Sequence, residues 1–378
     1  MSTKESELPI IMEEYPGLKT LPWINLTNLP TPVDELTGLE KELDADNLYI
    51  KRDDLSNDWY GGNKPRKFEY VIGRAIKRGK RQLITTGGIG TNHGLAQTII
   101  CRSLKKHKLT STVFTFDQPV IPHVRHNLLL EQYYGAELHY TKTYINTFFS
   151  MLWFYLTHRK VQLVMPGASR PLGTVGFVNA AFELDKQIQQ GSLPEPDKLY
   201  VPVGSTGTCA GLLLGLELLN LRTHVYGVSV TDLVITRPKR IVNLAHNTWK
   251  LLKKHDKAIP KITKDDLHAR LSVLDDFFGG AYGQPTEEGQ EALDLAAKTD
   301  DIKLDLTYSS KAFSAMLADI RENREKNLNK TILFWNTYNS VNHEAEAKEV
   351  DYHELPRKYH KFFNGEVPVV KKAVKARQ

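Results

Sequence analysis

With 378 residues, 41% hydrophobic and 25% charged, the chain has room for about two packed domains and is too apolar for intrinsic disorder. Its formal charge of +6 is gathered at the C-terminus, where Lys371, Lys372, Lys375 and Arg377 lie, so the rest is near neutral and no nucleic-acid partner is expected. The apolar run Phe148 to Leu156 is far short of the ~20 residues that span a bilayer, and the two cysteines, Cys101 and Cys209, sit in apolar helical patterns that suit buried free thiols in a reducing compartment better than a disulfide framework. A polar N-terminus of mixed charge, without signal- or transit-peptide character, makes the cytoplasm the expected compartment and a membrane partner unexpected.

In chain order, residues 1–60 are punctuated by Pro22, Pro30 and Pro32, and Leu48 to Ile50 reads as a short strand. Phe68, Val71, Ile72, Ala75 and Ile76 then recur at helical spacing. Strand-like and helical runs alternate from there: Leu83–Thr86, Leu95–Leu104, Thr112–Phe116, Pro122–Tyr134, Leu138–Tyr140, Tyr144–Thr157 and Val161–Val164. A second series follows with Gly173–Gln189, Lys198–Val203, Thr208–Leu221 and Val225–Val230. Residues 235–298 read as mostly helical, Lys311–Arg324 as a helix and Ile332–Trp335 as a buried strand. Repeated βα units predict parallel sheets covered on both faces. The expected organisation is a small αβα domain at 66–164 and a larger one from 1–65 plus 165–378, ending in a basic tail at 365–378.

Three stretches can carry chemistry. In Gly61-Gly62-Asn63-Lys64-Pro65-Arg66-Lys67, two glycines and an asparagine make a constrained turn, and Pro65 suits a helix start. Lys64 is thereby held where it can project into a cleft. Gly87-Gly88-Ile89-Gly90-Thr91-Asn92-His93-Gly94 joins a strand to a helix at the carboxyl edge of a parallel sheet, where ligands gather. Gly204-Ser205-Thr206-Gly207-Thr208 is the clearest anion site: free N–H groups and hydroxyls converge on a helix N-terminus, and no lysine in the loop argues for a nucleoside triphosphate. The thirteen histidines are scattered and no metal-ligand set stands out; as metal ligands His93 and His123 are unremarkable.

Taken together, these motifs resemble the pyridoxal-phosphate-dependent family of aminocyclopropane-carboxylate deaminase and D-cysteine desulfhydrase, over about residues 45–340. The resemblance implies a tryptophan-synthase-β-like (fold type II) α/β fold of two three-layer αβα domains, and a homodimer. It implies that Lys64 forms the Schiff base with pyridoxal 5'-phosphate, so its substitution should abolish the cofactor's visible band while substitution of Lys67 should not. Asn92 would bond the ring hydroxyl oxygen. Thr91 and Asn92, with His93 beside them, would receive the carboxylate of a small amino-acid substrate. Gly204, Ser205, Thr206, Gly207 and Thr208 would cradle the phosphate. Ala281-Tyr282-Gly283 and Thr307-Tyr308-Ser309 match segments that place Tyr282 and Tyr308 in the active site and Ser309 at the pyridine nitrogen. A hydroxyl there, where the deaminase has Glu, favours β-elimination over ring opening. Gly90 stands where the family has Gln, and Tyr338-Asn339 where it has two glycines, so that side of the pocket is expected to be reshaped.

Overall fold

The computed structural model describes residues 8–365. The expected basic tail from residue 366 onward lies outside them. The chain opens with α1 (Ile10–Glu14), β1 (Val33–Glu35), α2 (Thr37–Leu43) and β2 (Leu48–Lys51), and reaches α3 (Lys64–Lys77). The first alternating series is β3 (Gln82–Gly88), α4 (Asn92–Ser103), β4 (Thr110–Phe116), α5 (Pro122–Tyr133), β5 (Glu137–Lys142), α6 (Tyr144–Thr157) and β6 (Val161–Leu163). The second begins with α7 (Pro171–Gln189), β7 (Lys198–Val203), α8 (Gly207–Leu218), β8 (His224–Ser229), α9 (Leu233–Thr236) and α10 (Pro238–His255). It continues with α11 (Lys264–Ala269), β9 (Leu271–Leu274), α12 (Glu287–Asp300), α13 (Ser309–Glu322), α14 (Arg324–Asn327), β10 (Ile332–Trp335) and α15 (Glu344–Lys348).

Two sheets result. The larger has the order β1-β2-β10-β7-β8-β9, parallel except for β1. The smaller, β5-β4-β3-β6, is wholly parallel. The larger sheet shows why its strands read as continuous apolar runs. Leu199, Val201, Val203, Leu333 and Trp335 enter one core with α7, α8 and α10, while Tyr200, Ile332 and Phe334 enter another with α12 and α13. Side chains alternate at period two, and both faces are dry because helices cover both. The smaller sheet packs Leu83 with α3 and α4 on one side. On the other, Met151 and Phe154 of α6 meet Ile84, Phe114 and Val161.

Two short strands were not expected, and the end of the chain needs correction. Residues 235–298 are mostly helical, through α10, α11 and α12, but they also hold β9, which forms the edge of the large sheet; it is a four-residue, half-buried strand too short for periodicity to separate from a helical turn. β1 was likewise unread, being three residues long. The end of the chain, expected with the large unit, packs on the small one, where Leu355, Tyr359 and Phe362 bury against Ile89, Ile121, Val124 and Leu128. Tyr359 also bonds Thr115 through its hydroxyl at 2.6 Å.

The position of β10 matters most for the site. This last strand inserts between β2 and β7, which brings residues 336–339 beside the lysine turn. Cys101 and Cys209 are free and buried, and burial pushes both thiols up to about 12. Among the described residues, no helix is long and apolar enough to cross a membrane, and no group of three or more His, Cys, Asp or Glu could hold a metal ion.

Candidate active site

The carboxyl ends of β3, β7 and β10 and the N-termini of α3, α4, α8 and α13 surround one cavity of about 1310 Å³. Lys64, Thr91, Asn92, His93, Gly204, Ser205, Thr206, Thr208, Tyr282 and Tyr308 all line it. Residues separated by more than two hundred positions are thus brought to one space.

Lys64 takes the first position of α3 itself, so Pro65 follows it inside the helix; the turn before it is made by Gly61 to Asn63. Gly62 has φ +79, and a Cβ there would stand 2.5 Å from the Thr337 carbonyl oxygen and 2.6 Å from that of Tyr338. Only glycine meets both demands. Asn339 does not crowd the turn: its Oδ1 accepts the Gly61 N–H at 2.7 Å and fastens it. Asn63 then links two motifs. Its Oδ1 accepts from Lys64 Nζ at 2.7 Å, and its Nδ2 donates to Thr208 Oγ1 at 3.0 Å. The lysine and the glycine–hydroxyl loop are therefore adjacent.

Beneath the turn lies a buried ionic cluster. Arg66, two residues past Lys64, donates to Asp53 at 2.6 Å and to Glu183 of α7 at 2.8 Å, while Lys51 reaches Glu183 at 2.6 Å. Trp335 of β10 donates to Asp53 at 2.8 Å. Burial alone would push the Glu183 carboxyl up, but Arg66 and Lys51 overcome it and hold it at about 2. Such a cluster gives little net stability over an apolar one, yet it locks α3, α7, β2 and β10 in one register.

Lys64 reaches the cavity surface but sits deep in the protein. Burial lowers its pKa to about 8, against a smaller opposing pull from Asp305. Its Nζ lies 6.0 Å from the centre of the Tyr308 ring. Tyr308 and Tyr282 share a short hydroxyl–hydroxyl hydrogen bond. Burial raises both phenols above their ordinary value, so both stay protonated at neutral pH.

At the anion end, Ser205 and Ser169 are hydrogen-bonded through their hydroxyls at 2.9 Å, and Gly207 N–H points to Ser169 Oγ at 3.2 Å. Gly207 therefore stands behind the lining. Thr206 is held at φ +70, a left-handed conformation costly for a β-branched residue and of the kind that clusters at ligand clamps. The first turn of α8, a twelve-residue helix, points its free N–H groups at this loop.

Sequence reasoning passed over several residues here. Lys67 is completely buried; its Nζ donates to the Gly167 carbonyl at 3.2 Å and lies 3.2 Å from where a Cβ on Gly207 would be. Burial, then repulsion from Lys64, lowers its pKa well below the ordinary value, which favours the neutral amine in the protein alone. Asp305 also lines the cavity. On α5, His123 and Asn127 grip Asn92: Asn127 Nδ2 donates to Asn92 Oδ1 at 2.8 Å, and His123 Nε2 lies 2.7 Å from the same oxygen. Since that oxygen can only accept, His123 carries its proton on Nε2. The amide hydrogens of Asn92 are left for a ligand. The four-residue spacing of His123 and Asn127 on α5 is the one signal that could have found them. Lys67 and Asp305 carried no local signal.

Two expectations shift. Ser309 does not face the cavity: its hydroxyl accepts the Asp305 N–H and donates to Asp305 Oδ1, both at 2.7 Å, because it closes the cap at the start of α13. Gly90 is also not a lining position; a Cβ there would stand 2.7 Å from Val124 Cα, so no side chain fits and its exchange for Gln opens nothing. Thr91 serves as N-cap of α4, its Oγ1 accepting Gly94 N–H at 3.3 Å. His93 stacks on Phe68 at 5.3 Å; burial, then the nearby Lys64 and Lys67, hold its pKa well below normal, so the ring is neutral.

Comparison with known proteins gives consistent matches. A family profile described as "Pyridoxal-phosphate dependent enzyme" matches residues 24–337. The chain is similar to a D-cysteine desulfhydrase of Serratia proteamaculans, with 29% identity over 315 residues covering 81% of this chain and 91% of the relative. It is 31% identical to a putative 1-aminocyclopropane-1-carboxylate deaminase of Thermotoga maritima over 317 residues, 81% of this chain and 93% of the relative. Among solved structures, a homologue of aminocyclopropane-carboxylate deaminase superposes with a TM-score of 0.72 at 29% identity, covering 89% of this chain and 96% of that one.

Proposed function

The chain belongs to the pyridoxal-phosphate-dependent enzymes, in the group of aminocyclopropane-carboxylate deaminase and D-cysteine desulfhydrase, and we propose that within it this protein is a carbon–sulfur lyase acting on a small amino acid such as D-cysteine to give pyruvate, ammonia and sulfide. The cavity suits the cofactor at both ends, with the glycine–hydroxyl loop and the buried Lys67 amine behind it at one end and the low-pKa amine of Lys64 at the other. Gly204 to Thr208, the α8 N-terminus and Lys67 would hold the phosphate, and Lys64 the aldehyde carbon. Bound there, pyridoxal phosphate supplies a carbonyl for the substrate amine and a ring that accepts electron density from the α-carbon.

The remaining work falls to side chains. A lysine with pKa about 8 has a usable fraction of free amine near neutrality, so Lys64 Nζ can take the α-proton. Tyr282 and Tyr308 stay protonated and share one hydrogen bond, so the hydroxyl that accepts in that pair keeps its own proton free to deliver to the departing sulfur. Thr91, Asn92 and neutral His93 offer uncharged donors to the substrate carboxylate beside the α4 N-terminus.

One observation carries the preference for elimination. The carboxylate that lines the cavity near the start of α13, Asp305, is engaged by the helix cap. Position 309 is serine, and the Asp305 oxygens are turned back onto the N–H groups of Thr307, Tyr308 and Ser309 and the Ser309 hydroxyl. With the Asp305 charge already shared among those four donors, and serine at 309, little is left to keep a pyridine nitrogen protonated, and the ring would be a weaker electron sink. Expulsion of a good β-leaving group tolerates that better than opening a cyclopropane. The test is a product assay on the loaded enzyme with D- and L-cysteine, β-chloro-D-alanine and 1-aminocyclopropane-1-carboxylate. Pyruvate and sulfide from D-cysteine are expected. Deamination of the cyclopropane substrate alone, or no turnover at full cofactor occupancy, would overturn the proposal.

A further inference from the structure

Residues 275–286 join β9 to α12 and carry Tyr282 into the cavity. Gly279, Gly280 and Gly283 take positive φ there, at +80, +85 and +75. Asp275, Asp276, Gly280 and Ala281 are exposed, while Phe277 packs against the core that α12 and α13 share. A segment without regular structure and open to water on one side is of the kind that opens locally at little cost.

Among the described residues, hydrogen bonds hold positions 276–284 to the rest of the protein at two points. The Tyr282 hydroxyl meets that of Tyr308, and the Phe278 carbonyl accepts from Lys311 Nζ at 2.6 Å. Both partners stand at the start of one helix, Tyr308 as the N-cap of α13 and Lys311 as its third residue. Lys311 is fully buried, and its Nζ also lies 5.7 Å from the centre of the Phe278 ring. A Cβ on Gly279 would stand 3.6 Å from that Nζ and 2.5 Å from Thr286 Cγ2, so the peptide unit held by the amine is fitted against the cap of α12. Burial lowers the Lys311 pKa to about 8, against an opposing pull from Asp305, so the amine is mostly charged near pH 7 and its bond is charge-assisted.

The two bonds differ in what turnover asks of them. The phenol pair is where a proton is drawn, so its hydrogen bond changes as the reaction proceeds. Neither Lys311 nor Phe278 lines the cavity, and their bond takes no part in the chemistry. We infer that Lys311 is a positioning residue, whose buried amine ties the 275–286 loop to α13 and so keeps Tyr282 against Tyr308 and the substrate while a proton leaves the phenol pair. The inference rests on the proton-delivering role proposed above for that pair, but the tether itself can be tested without turnover.

The test compares Lys311→Met with wild type, both loaded with pyridoxal phosphate. Circular dichroism and the visible cofactor band should be unchanged. Chymotrypsin under native conditions should cut at Phe277, Phe278 or Tyr282 several-fold faster in the variant, with the fragments identified by mass. With D-cysteine, kcat should fall by about 10- to 100-fold, the scale of a misplacement of about 1 Å, with KM little changed. In a Tyr282→Phe background the same substitution should cost nothing further, because no phenol is left there to position. If Lys311→Met fails to fold, Gly279→Ala displaces the same peptide unit from the loop side and should give the same cleavage and the same kinetic pattern. Unchanged cleavage would overturn the tether whatever the substrate. An unchanged kcat, or an equal loss with and without the Tyr282 hydroxyl, would overturn its action through Tyr282. A wild type that leaves D-cysteine untouched counts against the substrate reading alone, and the cleavage comparison then decides for or against Lys311.

Discussion

Replacing Lys67 with methionine separates the phosphate-holding role from the covalent one. The substitution keeps most of the volume and removes the charge. In the protein alone, Lys67 Nζ reaches the Gly167 carbonyl at 3.2 Å; the Ser169 hydroxyl, 3.3 Å from that carbonyl, can replace the lost donor by turning its one proton away from Ser205 Oγ. On the proposed placement, what would be lost is a charge-assisted hydrogen bond to the cofactor phosphate, worth about 1.5–3 kcal/mol. At 1.4 kcal/mol per decade, cofactor affinity should fall roughly 10- to 150-fold. The cofactor-free protein should melt at the same temperature or higher, because a desolvated amine repelled by Lys64 has gone. Titration of cofactor-free protein with pyridoxal phosphate, followed by visible absorbance, gives the first number, and thermal melts with and without cofactor give the second. At saturating cofactor Lys67→Met should show the visible band, whereas Lys64→Ala should show none at any concentration. Affinity unchanged within twofold would refute the placement of Lys67 at the phosphate.

The remaining predictions follow from the same geometry. Tyr282→Phe and Tyr308→Phe should each lower kcat by about 10²–10⁴-fold, the range of acid–base catalysis. Because their hydroxyls share one hydrogen bond, the double variant should be little worse than either single one in steady-state assays. Lys64 has a folded pKa of about 8 against an ordinary value of 10.5, so between those values the folded cofactor-free protein binds fewer protons than the unfolded chain. Its stability therefore rises with pH across that window, by at most about 1.4 kcal/mol per unit. Urea midpoints from pH 7 to 10.5 should show this gain in wild type relative to Lys64→Met; parallel curves would refute it. Glu183, held at about 2, contributes stability above its unfolded pKa near 4.5 that is lost as pH falls through 2. Glu183→Gln should cost about 3–5 kcal/mol at pH 7 in chemical denaturation, since it leaves Arg66 and Lys51 short of a buried partner.

Much was decided locally and could be read from the chain. The bounds of Tyr144–Thr157, Lys198–Val203 and Ile332–Trp335 coincide with the elements found, because hydrophobic periodicity and flanking turn residues set them. The lysine turn and the glycine–hydroxyl loop were equally visible, since the backbone conformations they need restrict residue type at fixed spacing. Tertiary packing decided the rest. β10 lies between β2 and β7 only because the large sheet needs an all-apolar strand at its centre, and no local pattern states which one. Lys67 meets Gly167 a hundred positions away, Asp305 claims the Ser309 hydroxyl, and Val124 fills the space beside Gly90. Side-chain identity tells what a residue can bond, but which partner it meets depends on contacts closed across the whole fold. For the same reason the sequence locates the helix Tyr144–Thr157 without saying which of its faces is covered, and only the folded chain shows large apolar side chains turned outward.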